Sequence, residues 1–248
     1  MGEIGYPAVC FAAKAVCRAL GLRVRIEGDT NIPAAGGAVL AADHVSYLDP
    51  FAVLLGADAA GRRVRFLALQ TLFEHRIYGP VVRELRQIPI RSGGGGAAFR
   101  AAVDALRAGE IVGVFPEATI AQSFTVQQLR TGAARLASAA GVPLIPMAVW
   151  GTQRLWTKDR RNIVQPMLPI TVLIGEPLRA TSEDAPEQLT ERLRARMQEL
   201  LDRAQREYPD AGAGQWWQPV HLGGTAPTAE EAVARDAAEN AARAGADS

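Results

Sequence analysis

The sequence predicts an α/β fold: a single domain with a mostly parallel central sheet flanked by helices, and an apolar to amphipathic helix at the N-terminus. Short strand patterns alternate with helical ones at close spacing, as they do when helices cover both faces of a sheet. Some strands, Ala38 to Ala42 among them, read as buried apolar runs. With 248 residues, 48% of them hydrophobic and 21% charged, the composition is that of a globular chain, and one α/β domain accounts for the length.

Taken in order, Tyr6 to Leu20 reads as a helix, Arg23 to Glu27 as a strand and Asn31 to Gly37 as a turn. The run Ala38 to Ala42 delivers His44 to its C-terminal end, and Asp49-Pro50 opens a helix to Leu55, proline being tolerated in a first helical turn. Val64 to Leu69 is the next strand; Thr71 to Val82 is an apolar segment broken at Glu74-His75-Arg76 and Gly79-Pro80. A short strand, Gln87 to Ile90, ends at Arg91, and a glycine run leads into a helix from Ala97 to Ala108. Glu110 to Phe115 is a buried strand ending in Pro116-Glu117. A helix over Gly132 to Ala140, a turn at Gly141-Val142-Pro143 and the strand Leu144 to Trp150 follow. After a polar basic loop come the strand Ile170 to Ile174 and an amphipathic helix, Pro186 to Glu207, with leucines at 189, 193, 200 and 201.

The formal charge is +1, yet from Glu207 onward acids outnumber Arg235 and Arg243, so the body is basic and suited to an anionic surface or substrate. Its lysines are Lys14 and Lys158; the other cations are arginines. Cys10 and Cys17 lie seven apart on one helix, roughly 10 Å along its axis, too far to bridge. They read as reduced thiols in a cytoplasmic setting. No transmembrane span is expected, and Ile4 to Leu20 lacks the basic start and cleavage site of a secretory signal. With Lys14 and Arg18 one turn apart, that helix either lies in a membrane interface or packs on the core. The expected organisation is a helix over 1–22, a domain over 23–208, and a Gly/Ala/Pro-rich acidic tail over 209–248. In the tail, Trp216 and Trp217 pack on the body or favour a membrane interface, and the terminal stretch is mobile or a loosely docked helix.

In parallel sheets, reactive groups gather where strands end and helices begin. His44 and Asp49 follow such an end, an imidazole with the carboxylate that can orient it and fix its tautomer. The other histidines, His75 and His221, have no comparable partner. Ile88-Pro89-Ile90-Arg91 brings a guanidinium to a strand end, where it can clamp a phosphate. In Phe115-Pro116-Glu117-Ala118-Thr119 a proline stiffens the turn that presents Glu117 to the same rim, although Glu117 could instead cap a helix. Arg130-Thr131-Gly132 places an arginine before a helix whose free N–H groups attract anions. Val142 to Met147 is a tight turn entering a core strand. Gly93, Gly95 and Ala98 fit a loose dinucleotide fingerprint, which keeps a nucleotide-dependent oxidoreductase open. No Walker loop and no Gly-x-Ser-x-Gly elbow occurs, so an acyl group would pass directly from donor to acceptor.

His44 to Asp49, Ile88 to Arg91, Phe115 to Thr119 and Val142 to Met147 follow the order and spacing of the motifs of the glycerolipid acyltransferases. The chain resembles that lysophosphatidic acid acyltransferase-like family over about residues 20 to 180. The resemblance implies transfer of a fatty acyl chain from acyl-CoA or acyl carrier protein to the free hydroxyl of a lysophosphatidate-like lipid, at the cytoplasmic face of a membrane. It makes His44 the general base, with Asp49 orienting it. Arg91 and Arg130 would hold the acceptor phosphate, and Glu117 would order the acceptor-side loop that contains Thr119, with Gly132 opening the helix beside Arg130. It implies no metal or redox cofactor and no nucleic-acid partner. His44→Ala and Asp49→Ala are expected to fold normally and lose turnover. Asp43, Ala118 and Ile120 depart from the family pattern, standing where Asn, Gly and a basic residue are common. A non-catalytic protein of the same fold that docks on anionic lipid, and an acyltransferase acting on a different, non-phosphatidate acceptor, are the competing readings.

Overall fold

The computed structural model describes residues 5–76, 78–91, 95–180 and 185–246. Its strands are β1 (Arg23–Glu27), β2 (Ala38–Ala42), β3 (Val64–Leu69), β4 (Ile88–Ile90), β5 (Ile111–Val114), β6 (Leu144–Trp150), a small hairpin of β7 (Trp156–Thr157) and β8 (Arg160–Arg161), and β9 (Pro169–Ile174). The helices are α1 (Gly5–Ala19), α2 (Asp49–Ala59), α3 (Gln70–Glu74), α4 (Tyr78–Glu84), α5 (Gly95–Arg107), α6 (Gly132–Ala140), α7 (Pro186–Arg206) and α8 (Ala229–Ala246).

Seven strands form one sheet in the order β1-β9-β6-β2-β5-β3-β4. All neighbours run parallel except β6 and β9, paired antiparallel from Met147↔Ile174 to Trp150↔Thr171. The expected mostly parallel sheet flanked by helices is therefore what the chain forms.

Strand β2 shows why its sequence is apolar throughout. Val39 and Ala41 enter one core cluster with residues of α5, α6 and α7. Ala38, Leu40 and Ala42 enter the other with Tyr6 and Cys10 of α1 and Ala52 to Leu55 of α2. Successive side chains point to opposite faces and both faces are covered. On α7 the buried Leu189, Leu193, Met197 and Leu201 recur every four residues and form the stripe that meets the sheet. Gly141 closes α6 at φ 69°, a left-handed geometry suited to glycine.

Several segments differ from expectation. The helix opened by Asp49 runs to Ala59 because Gly56 and Ala57 also pack inward. The interrupted 71–82 segment forms the two short helices α3 and α4. The basic loop after Trp150 holds the β7/β8 hairpin. Helix α5 starts at Gly95, within the glycine run; the run's Gly93 and Gly94, with Ser92, fall outside the described residues. In the 209–248 segment, Trp217 and Ala226 belong to the same core cluster as α7, and α8 is a helix with Ala232 buried. Trp217 meets Trp150 and Tyr208 edge-on, with the Arg154 guanidinium 4.6 Å from its ring centroid.

Helix α1 faces two environments. Tyr6 and Cys10 are buried, and the Tyr6 hydroxyl accepts a hydrogen bond from the Val64 amide. Phe11 (76% exposed) and Val16 (55%) face outward, and Lys14 pairs with Asp58 of α2. Among the described residues no helix is long and apolar enough to cross a membrane.

Candidate active site

Strands β2, β5 and β6 lie side by side and parallel, so the residues that follow them meet on one rim. His44 comes after β2, Glu117 after β5, and Thr152 after β6.

The His44 Nδ1 lies 3.0 Å from Asp49 Oδ2. Asp49 is fully buried at the start of α2, and its carboxylate gathers the loop around itself. Oδ2 accepts the Val45 and Ser46 amides at 2.7 Å each, and Oδ1 accepts the Thr152 hydroxyl at 2.6 Å. Burial of this carboxylate is compensated by those donors. The His44 side chain is 18% exposed, its ring stacked on Phe115 with centroids 4.2 Å apart. Phe115 stacks in turn on Phe66. A Cβ on Gly113 would come within 2.5 Å of the Phe66 ring, so glycine in β5 makes room for this aromatic stack.

Glu117 faces inward, 6% exposed. It caps no helix: Oε1 accepts the His44 amide at 3.1 Å and Oε2 the Gln127 amide at 3.0 Å. Burial pushes its pKa up to about 8. Ala121 N–H closes the same contact by donating to the His44 carbonyl at 2.7 Å. Asp43 is buried, accepts the Val149 amide at 2.7 Å, and has an Oδ2 without a partner among the described residues. Burial, with Asp49 and Glu117 nearby, raises its pKa well above the usual carboxylate range. A protonated Asp43 presents a neutral polar group, as the amide of Asn would. Ile120 is buried at 4% exposure, a place where a cation would be costly.

From Phe115 a groove of about 680 Å³ opens, lined by Leu67, Ile90 and Val114 on the sheet side and by Arg130 and Gly132 at the start of α6. The Arg130 amide donates to the Pro116 carbonyl at 2.9 Å, which ties this arginine to the Glu117 turn. Arg91 is exposed at the end of β4, beyond Ile90. Thr119 lies elsewhere: its hydroxyl is held by Lys158 and Asp236 on a different flank of the turn. The seven sequence candidates thus fall into a buried group (His44, Asp49, Glu117), a groove group (Arg130, Gly132, with Arg91 at the outer rim) and Thr119 apart.

Sequence reasoning missed Thr152, although its place just past the strand beside β2 is a usable signal. It also missed Lys158, which sits in the hairpin with no motif spacing to mark it. Among the described residues no three His, Cys, Asp or Glu side chains are grouped so as to hold a metal ion.

A polar rim carrying an oriented histidine on an α/β sheet suits group transfer. A family model described as Acyltransferase matches residues 23–150, and the chain belongs to that family and is an acyltransferase. The resemblance carried by the four motifs is borne out at this level. Among its relatives, a 1-acyl-sn-glycerol-3-phosphate acyltransferase of Bacillus subtilis (strain 168) is 28% identical over 202 residues, 77% of this chain and 95% of the relative. A chloroplastic enzyme of the same name from Arabidopsis thaliana is 23% identical over 184 residues, 73% of this chain and 49% of the relative. The crystal structure of the 1-acyl-sn-glycerophosphate acyltransferase PlsC from Thermotoga maritima superposes with a TM-score of 0.70 at 23% identity, covering 83% of this chain and 81% of that one. It shares the fold.

Proposed function

We propose that this protein moves a fatty acyl chain from acyl-CoA or acyl carrier protein to the free hydroxyl of a lysophosphatidate-like lipid, giving phosphatidate. The observation that carries the reading is the 3.0 Å contact between His44 Nδ1 and the buried Asp49 carboxylate. With Nδ1–H donated to Asp49, Nε2 is left unprotonated and can accept a proton. The acceptor hydroxyl gives its proton to Nε2 as its oxygen attacks the thioester carbonyl. Collapse of the tetrahedral intermediate breaks the C–S bond, and the imidazolium returns the proton to the departing thiolate. Asp49 stabilises the imidazolium formed between these steps. Glu117 acts indirectly, by fixing the His44 backbone. The step as written draws on no cofactor.

Substrate placement rests on the groove. Its apolar floor suits an acyl chain, and Arg130 at its edge, with Arg91 on the outer rim, suits the acceptor phosphate. Helix α1, with Phe11 and Val16 outward and Lys14 and Arg18 nearby, suits peripheral or monotopic contact with the cytoplasmic face of a membrane. The names of the relatives support the same acceptor. Mixing the pure protein with a long-chain acyl-CoA and lysophosphatidate, and following free thiol against a His44→Ala blank, tests the reading. Acceptor-dependent thiol release is expected. Release equal to the blank would sink it and favour a lipid-binding role.

A further inference from the structure

We infer that Lys158 and Thr119, on the other flank of the turn that presents Glu117, form a phosphate-binding site that Asp236 of α8 occupies as an internal stand-in, so that a substrate phosphate must displace α8 to bind. The inference goes beyond the acyl-transfer reading but rests on it for the identity of the substrates.

Both segments that frame this site are tied to the loop that carries His44. Thr157, next to Lys158, donates its hydroxyl to the Val45 carbonyl at 2.7 Å, and the Tyr47 amide donates to the Trp156 carbonyl. Thr119 lies between Glu117 and Ala121, which bond the His44 amide and carbonyl respectively. The Lys158 ammonium, its side chain 12% exposed, donates to the Thr119 hydroxyl at 3.1 Å and forms an ion pair with Asp236. Asp236 uses both oxygens, Oδ1 on Lys158 and Oδ2 on the Thr119 hydroxyl at 3.1 Å. An ammonium and a hydroxyl engaging two oxygens of one anion make a donor set that fits phosphate equally well.

The occupant is removable. Over residues 229–238 of α8, Ala232 is buried and Asp236 is partly so, while the others are exposed, so this stretch of the helix contributes little apolar burial beside the ion pair. Asp236 is the more exposed partner of the pair, at 23%, and carries one charge, so a doubly charged phosphate competes well for the same lysine. Both substrates carry such a monoester: the phosphate of the acceptor lipid, in which case Arg130 and Arg91 are left to the donor, and the ribose phosphate of acyl-CoA.

The test uses the full chain, with KM measured separately for lysophosphatidate and for acyl-CoA in wild type, Lys158→Gln and Asp236→Asn. Lys158→Gln should raise one of the two by roughly tenfold or more, and the one it raises identifies the source. Asp236→Asn should lower that same KM. In a second measurement, trypsin cleavage of the wild type at Arg235 should quicken when inorganic phosphate, acyl-CoA or lysophosphatidate is added. This readout needs no turnover, so it separates the inference from the acyl-transfer reading, which fails only if the wild type releases no thiol. Unchanged KM values in Lys158→Gln, an increase in Asp236→Asn, or cleavage indifferent to all three additions would each overturn the inference.

Discussion

The backbone amide of His44 donates to Glu117 at 3.1 Å while its ring turns to Asp49 at 3.0 Å, so one residue is held by two carboxylates through opposite ends. The proposed base is thus positioned by its main chain as well as its side chain, and the two carboxylates answer to different tests.

Asp49 should separate chemistry from architecture. Its carboxylate accepts from Val45, Ser46 and Thr152 as well as contacting His44, so the expectation that Asp49→Ala folds normally does not follow from this geometry. Removing the acceptor strands several buried donors, and Asp49→Ala should lose about 3–5 kcal/mol in urea unfolding. Asp49→Asn can keep one oxygen toward the amides and turn its NH2 to the Thr152 hydroxyl, which can accept. It should fold nearly as the wild type does, yet lose about 10²–10⁴-fold in kcat, because a neutral amide does not stabilise an imidazolium. Equal stability of Asp49→Ala and wild type would refute the structural half, and near-normal turnover of Asp49→Asn the chemical half.

Glu117 gives a pH signature. Its folded pKa of about 8 stands above the ordinary 4.5 because of burial, so the folded state binds more protons between those values. This contribution to stability is complete below about pH 4.5 and is lost as pH rises toward 8, the reverse of an ion-paired carboxylate. Urea unfolding of the wild type should therefore weaken from about pH 5 to about pH 8 by more than Glu117→Gln does. The glutamine variant should also start about 1–3 kcal/mol lower, since its NH2 must face one of the two backbone N–H donors. Parallel pH profiles for the two proteins would rule this out.

The sheet was legible because each buried strand is a short apolar run closed by a turn, and His44, Glu117 and Arg91 could be placed at strand ends from that alone. What escaped was contact across the rim. Nothing local to Gly151-Thr152 shows that its hydroxyl meets Asp49, a hundred residues back; that follows only from β6 lying beside β2. Lys158 was hidden for the same reason, since its partners Thr119 and Asp236 come from distant segments. For the tail, sequence left Trp217 between packing on the body and a membrane interface, because a tryptophan suits both; its seat against Trp150 and Tyr208 decides for the body.

That seat predicts a stability defect far from the chemistry. Trp217 is 3% exposed within the main core cluster, and Trp217→Ala leaves a cavity bounded by Trp150, Tyr208 and the Arg154 guanidinium. The loss should be about 3–5 kcal/mol in urea unfolding. A loss below about 1 kcal/mol would mean that the 209–228 segment contributes little to the fold.

Ala118 predicts a gain. It follows Glu117 with φ 58°, left-handed backbone in which a Cβ crowds the following carbonyl. The Ala118 amide donates to the Phe115 carbonyl at 3.1 Å, so the turn that presents Glu117 needs this geometry and an extended alternative would break it. Glycine adopts the same φ without the steric cost, although it also loosens the unfolded chain. The first effect, about 1–2 kcal/mol, outweighs the second, roughly 0.4–1 kcal/mol, so Ala118→Gly should stabilise the protein by up to about 1.5 kcal/mol. Thermal unfolding of the two proteins decides it: a lower Tm for Ala118→Gly would show that alanine holds this turn without strain.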